Sequence, residues 1–226
     1  MANGLQRTIP LAAFLTILLM TGACDASNPA PPITPSAQRP TSSAPDSPPD
    51  SPPDASTVVG PAPADLHDVN WADVPVPGEF CGVPGLVRLG PTGEAMATSR
   101  TWGPVRFRRT KNVFYGDTDG DHRDEAVAFV GCDDNGATQN ADIAVEYVVY
   151  AHAGKDLAVL GSITPRQKST AYHTALARAE FAPGRIIVHE KWYRPNDAHC
   201  CPSGDATTIW TREGNRLTPG APRITS

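Results

Sequence analysis

Between Tyr115 and Val127 the chain reads YGDTDGDHRDEAV, and five of the nine residues from Asp117 to Glu125 are acidic. Carboxylates crowded at this spacing repel one another and hold their protons to higher pH unless a cation balances them. A hard cation such as calcium takes six to eight oxygens at about 2.3–2.6 Å, and one tight loop can supply them from side chains and a backbone carbonyl. The alternation makes Asp117, Asp119 and Asp121 side-chain ligands, the Arg123 carbonyl a backbone ligand, and Glu125 the closing carboxylate. Two other uses compete with calcium. One is a charged turn whose side chains accept from their own backbone N–H groups, favoured by Arg123 and the basic run from Arg106 to Lys111. The other is a catalytic carboxylate pair.

The stretch resembles the calcium loops of FG-GAP and VCBS-type repeats, D-x-D-G-D-G-x-x-[DE] between strands. It departs from them at His122, where glycine would reach positive φ more easily. The resemblance implies a calcium-stabilised loop. The motif occurs once, so it does not imply a propeller. An EF-hand register fits less well, since it would put the turn glycine at His122 and the closing glutamate at Ala128.

The elements that must hold this loop are patterned with period two. EAVAFVGC, Glu125 to Cys132, reads as a buried strand. IAVEYVVYAHA puts Ile143, Val145, Tyr147, Val149 and Ala151 on one face, with Glu146 and His152 opposite. RIIVHEKWY from Arg185 and TTIWTR from Thr207 are two further strands. Pro183-Gly184 suits the centre of a type II turn, and Gly214-Asn215 closes a second hairpin. Ser169 to Phe181 mixes helix-favouring Ala and Leu with a strand-like end, and is read as one short helix leading into a strand. The expected fold is mainly β, with α+β as the variant: a single antiparallel domain with minor helix over residues 66–226.

Beyond Cys24 the chain has Cys81, Cys132, Cys200 and Cys201, an even set that in an exported domain suggests two disulfides. Neighbouring Cα atoms lie about 3.8 Å apart, below the usual disulfide span of about 4.4–6.8 Å, which disfavours pairing Cys200 with Cys201. The favoured pairings send one of these two to Cys81 and the other to Cys132. Each would close a loop of roughly 70 to 120 residues, contributing about 4 kcal/mol by chain entropy. A thiol metal site at His199-Cys200-Cys201 is the weaker alternative, because contiguous ligands point apart and no CxxC accompanies them.

Catalytic signatures are sparse. His189-Glu190-Lys191-Trp192-Tyr193 begins like a zinc-protease helix, but Tyr193 stands where the second histidine belongs, and the segment is patterned as a strand. GxSxG, P-loop and GxGxxG motifs are absent, and the six histidines show no metal-ligand spacing. Trp71, Trp102, Trp192, Trp210 and Tyr115 either pack the core or line a ligand face. With 19 basic and 24 acidic residues and no large basic block, the chain offers no surface for nucleic acid.

The N-terminal stretch is of another kind. Arg7 precedes an apolar run from Leu11 to Met20, too short to span a bilayer and followed by Thr21-Gly22-Ala23-Cys24. This order resembles the bacterial lipobox, which implies removal of residues 1–23 and a diacylglyceryl group on Cys24. Two acyl chains, at about 0.8 kcal/mol per buried CH₂, hold where one would exchange. Residues 24–65 hold the lipidated cysteine and a linker rich in proline, serine and alanine, with half of the 24 prolines between Asp25 and Pro63. Such composition cannot bury enough surface to order itself. In extended polyproline geometry it would reach on the order of 120 Å.

From Arg185 to Leu217 a strand ending in an aromatic is followed by Arg-Pro, a Pro-Ser-Gly turn at Pro202 to Gly204, and a Trp-bearing strand. This part resembles LppP/LprE-type actinobacterial lipoproteins, and the resemblance implies a cell-envelope protein. The expectation is therefore a lipid-anchored, extracytoplasmic β domain, stapled by disulfides and stabilised by calcium. It would bind an envelope ligand or protein, with a wall-polymer hydrolase or a passive structural protein as alternatives.

Overall fold

The structure, a computed structural model, describes residues 56–136, 142–170 and 172–226. All belong to the second of the two units into which the chain divides, Met1–Pro48 and Pro49–Ser226. The apolar run, Cys24 and most of the linker lie outside the described residues.

Among the described residues thirteen strands follow in chain order. They are β1 (Thr57–Pro61), β2 (Val76–Pro77), β3 (Leu86–Val87), β4 (Glu94–Ser99), β5 (Gly103–Gly116), β6 (Glu125–Asp133) and β7 (Asp142–Ala153). After these come β8 (Asp156–Ile163), β9 (Ala175–Ala182), β10 (Arg185–Trp192), β11 (Gly204–Glu213), β12 (Arg216–Pro219) and β13 (Arg223–Ile224). A six-stranded sheet runs β1-β8-β7-β6-β5-β4, and a second runs β12-β11-β10-β9 with β13 beside β11. Every strand pairing in them is antiparallel. Mainly β architecture is as the period-two pattern requires.

The middle of the large sheet is covered on both faces. On one, Val127, Val145, Tyr147, Val149 and Ile163 pack against Leu176, Ala179, Ile186, Val188 and Trp210 of the second sheet. On the other, Ala128, Val130, Cys132, Val148 and Tyr150 pack against residues of the 66–89 segment such as Leu66, Val76 and Val83. An antiparallel strand with one wet face alternates polar and apolar residues, whereas one covered twice is apolar throughout. This explains why EAVAFVGC reads as a continuous apolar run. It also buries Glu146, on the face opposite Val145 and Tyr147, to 1% exposure.

The covering segment is fastened by directional bonds. Tyr150 donates its hydroxyl to the Pro75 carbonyl at 3.0 Å, and Arg109 donates to the Val74 carbonyl at 3.0 Å. The disulfide Cys81–Cys132, with Cα atoms 6.2 Å apart, joins the segment to β6. Elsewhere the basic run is used within the sheet: Arg106 and Arg108 pair with the buried Asp133 at 3.0 and 2.8 Å, and Arg108 reaches Asp142 at 2.5 Å.

Four expectations are corrected. Residues 57–61 form β1 against β8, so the folded domain begins ahead of residue 66, inside the stretch read as linker. Thr57, Val58 and Val59 are β-branched and find an open sheet edge there. The short helix before β9 does not form: the described residues of 164–174 are irregular, and the helical turns among the described residues are three single 3-10 turns at 66–68, 71–73 and 79–81. The crossed disulfides give way to Cys81–Cys132 and Cys200–Cys201. Cys132 faces the covering segment, within the ordinary disulfide span of Cys81. Cys200 and Cys201 are exposed on the loop between β10 and β11, where each has the other as its partner. With both sulfurs so engaged, the thiol metal alternative at His199-Cys200-Cys201 loses its ligands.

Candidate functional site

The loop from Asp117 to Asp124 joins β5 to β6 and closes through its own backbone. Asp117 Oδ1 accepts from the Gly120 N–H at 2.6 Å and the Asp119 N–H at 3.1 Å, and Oδ2 accepts from the His122 N–H at 3.0 Å. These donors, that of Gly120 foremost, hold the Asp117 carboxyl below the usual carboxylate range. Gly120 and His122 both take positive φ, 80° and 64°. His122 thus adopts the left-handed turn despite its side chain, at a strain of order 1 kcal/mol or more.

Of the five expected ligands, three converge: Asp117, Asp119 and Glu125 have oxygens within 4.8 Å of one another. Asp121 turns away, its Oδ1 accepting from the Arg123 N–H at 2.8 Å. Glu125 is buried. Its Oε2 accepts from the Thr118 N–H at 2.7 Å and the Thr118 hydroxyl at 2.5 Å.

The cation that sequence reading missed is Arg212, near the end of β11. Its Nη1 lies 2.7 Å from Glu125 Oε1 and 2.8 Å from Thr118 Oγ1, and its Nη2 lies 2.8 Å from Asp119 Oδ2. Its Nε donates to the Gly214 carbonyl at 3.1 Å. The side chain is 9% exposed, so this is a largely desolvated, charge-assisted network and not a surface pair. Gly184 N–H donates to the Thr118 carbonyl at 2.7 Å beside it, and Gly116 is packed on Phe181. The acidic loop of the large sheet is thereby clasped to the β9–β10 turn and to β11 of the second sheet. Nothing local to TTIWTR marks Arg212 for this, because it lies in a strand end far along the chain from the acids.

The donor set does not fit the calcium ion that the FG-GAP resemblance implies. Two of the three converging carboxylates face a guanidinium, the third takes backbone N–H groups on both oxygens, and a site of six to eight oxygens is not assembled. The same pairing argues against catalysis, since Arg212 holds both Asp119 and Glu125.

At the other end of β9 lies a groove of about 470 Å³. Phe80, Ala144, Val145 and Pro165 provide its apolar surface, and Gln167, Lys168, Ser169, Thr174 and His173 its polar rim. Its loop is positioned by Glu190, the glutamate of the rejected zinc motif. Buried to 1% exposure, Glu190 accepts from the Arg166 and Gln167 N–H groups at 3.0 and 2.8 Å and from the Thr208 hydroxyl at 2.6 Å. Thr174 returns a hydroxyl to the Gln167 carbonyl at 2.7 Å. Burial depresses the His173 pKa, with the nearby Asp142 charge opposing it.

Tyr172, 42% exposed, forms one wall and meets the rings of Tyr193 at 4.9 Å and His199 at 4.2 Å. Tyr193 donates its hydroxyl to the His199 carbonyl at 2.7 Å. Asp197 closes the adjoining loop, accepting from the Arg194 and Ser203 N–H groups at 2.8 Å each; these donors, that of Ser203 first, lower its pKa. This is the loop that bears Cys200 and Cys201.

The aromatic residues singled out from sequence serve mostly in packing. Trp210 is buried, and Trp71 donates its indole N–H to the Tyr115 hydroxyl at 2.8 Å, while Trp102 is 55% exposed. Tyr172 and Tyr193, which line or flank the groove, were not singled out; their only sequence signal is an aromatic beside a turn.

The fold of the described residues defines the class: two large antiparallel β-sheets packed on each other, with a third layer of 3-10 turns, loops and the small antiparallel pair β2-β3. No family model, curated protein or solved structure matches the chain.

Proposed function

We propose that this chain is a lipid-anchored protein of a bacterial cell envelope whose β domain, held off the membrane by the proline-rich linker, binds an envelope ligand in the groove beside β9. The observation that supports the binding role is the groove itself: apolar inside, polar at the rim, walled by an exposed tyrosine and fastened by a buried carboxylate. Ligand sites are concave and mostly apolar, with a few placed polar groups. The lipobox-like Thr21 to Cys24 and the linker composition support the anchored location.

The hydrolase alternative asks for close carboxylates and aromatic residues in one cleft. Here the acidic loop and the aromatic groove stand at opposite ends of β9, eight residues long, more than about 20 Å apart, and the carboxylates nearer the groove, Asp133 and Asp142, are both held by Arg108. Among the described residues the groove rim has Lys168 as its one Lys, Arg, Asp or Glu, together with amide and hydroxyl groups. A neutral or anionic, hydroxyl-rich molecule with apolar faces suits it, and short wall-derived oligosaccharides are the first probe.

The test is a chemical-shift titration of the chain with those oligosaccharides. Saturable shifts at Gln167, Thr174 and Tyr172 that vanish in Tyr172→Ala support the reading, and shifts elsewhere or none at all refute it. For the anchor, detergent-phase partitioning lost in Cys24→Ala is the expected result. Unchanged partitioning would remove the lipid from the proposal.

A further inference from the structure

The acidic loop has the spacing of a calcium loop and a guanidinium among its carboxylates. We infer that Arg212 is the resident cation of a calcium-type loop, a side chain standing in the place of a metal, and that the wild-type chain excludes divalent cations from it.

The arrangement supports each part. Oxygens of Asp117, Asp119 and Glu125 lie within 4.8 Å of one another, close enough to face a single cation. Arg212 places Nη1 and Nη2 on Glu125 and Asp119 at 2.7 and 2.8 Å. A planar fork that engages two carboxylates at once is what arginine offers and lysine does not. The oxygens turned from Arg212 are also in use. Glu125 Oε2 takes two donors from Thr118, and Asp117 takes three backbone N–H groups.

A divalent ion would meet a fixed positive charge, and the Asp119 and Glu125 oxygens it would need are taken by that charge. To enter, it would have to expel a side chain that is 9% exposed and bonded through all three nitrogens. The loop keeps the backbone form of a metal loop, with Gly120 and His122 in the left-handed region, because Asp117 organises it from within. What the substitution achieves is independence. The clasp between the loop and β11 persists whatever the calcium level outside the cell, which a site of 10⁻⁴ to 10⁻³ M affinity would track.

The experiment is isothermal titration calorimetry and thermal melting of the full chain with calcium chloride at up to about 10 mM, above the weakest calcium modules. Wild type and Arg212→Met are compared. The wild type is expected to give no binding heat and no change in Tm. Arg212→Met is expected to bind calcium at about 10⁻⁴ to 10⁻³ M, with a Tm that rises on addition, and the further change Asp119→Asn should abolish both effects. Heat or a raised Tm in the wild type overturns the exclusion. A folded Arg212→Met that gives neither overturns the claim that Arg212 stands where a metal would. If Arg212→Met does not fold in buffer, it is refolded from urea with and without calcium. Recovery with calcium alone supports the inference, and no recovery in either condition overturns it.

Discussion

Glu146 lies in the middle of β7 with its side chain inside the core, and its Oε1 has no hydrogen-bond partner. Desolvation pushes its pKa up from 4.5 to about 8, against a Ser162 hydrogen bond that lowers it and with the Glu79 charge adding to the rise. The folded chain therefore keeps this carboxyl neutral through a range where the unfolded chain has ionised it. The sign follows: stability is full below pH 4.5 and is lost as pH rises toward 8. At about 1.4 kcal/mol per pH unit, the loss across that window reaches about 5 kcal/mol.

Glu146→Gln removes the titration while keeping the shape. The amide brings a buried donor that needs a partner, which costs about 1–3 kcal/mol at every pH. The variant should thus be slightly less stable than wild type near pH 5 and more stable by roughly 2 kcal/mol or more near pH 8. Urea denaturation of both proteins at several pH values between 5 and 8 measures this, provided both unfold in one step. The diagnostic quantity is the slope of the difference in ΔG with pH. A difference that stays flat across the window would show that Glu146 does not titrate between the folded and unfolded states as its burial requires, and the reasoning would fail.

Three further outcomes are expected. Replacing Cys81 and Cys132 together by serine opens a loop of sequence separation 51 and should cost about 4 kcal/mol, read as a lower denaturation midpoint; an unchanged midpoint would contradict the staple. Glu190→Ala strands two buried-side N–H groups and the Thr208 hydroxyl, so a loss of about 3 kcal/mol or more is expected. Hydrogen exchange at Arg166 and Gln167 should speed up in that variant while β6 stays protected. Gly116→Ala would set a methyl 2.5 Å from Phe181, and the resulting overpacking should destabilise by about 1–3 kcal/mol in the same assay.

The legible part of this chain is the part governed by near neighbours. Alternation along 145–151 determined which residues of β7 face the second sheet, while Ile143, expected on that face, packs on the other cluster beside the register shift at Cys132/Asp133; Pro183-Gly184 and Gly214-Asn215 marked two hairpins that form. The spacing of Asp117, Asp119 and Glu125 was enough to bring the three together, because an Asx-bonded turn is built from its own N–H groups. Local chemistry misled where a distant surface supplied the deciding partner. Ala-rich 175–182 is a strand because β10 offers a full ladder of hydrogen bonds beside it, outweighing helix propensity. Residues 57–61 left the linker because β8 had a free edge.

Sequence by itself determined that an acidic turn stands between two strands and that its charges need a counter-ion. Which counter-ion was decided by tertiary structure alone, since Arg212 arrives from the other sheet and no spacing in the chain records that meeting. The same holds for Glu190, whose value lies in reaching a loop more than twenty residues earlier. Local patterns record short-range geometry. Neutralisation of buried charge is a condition on space, and it is met by whichever residue the packing of two sheets brings within about 3 Å.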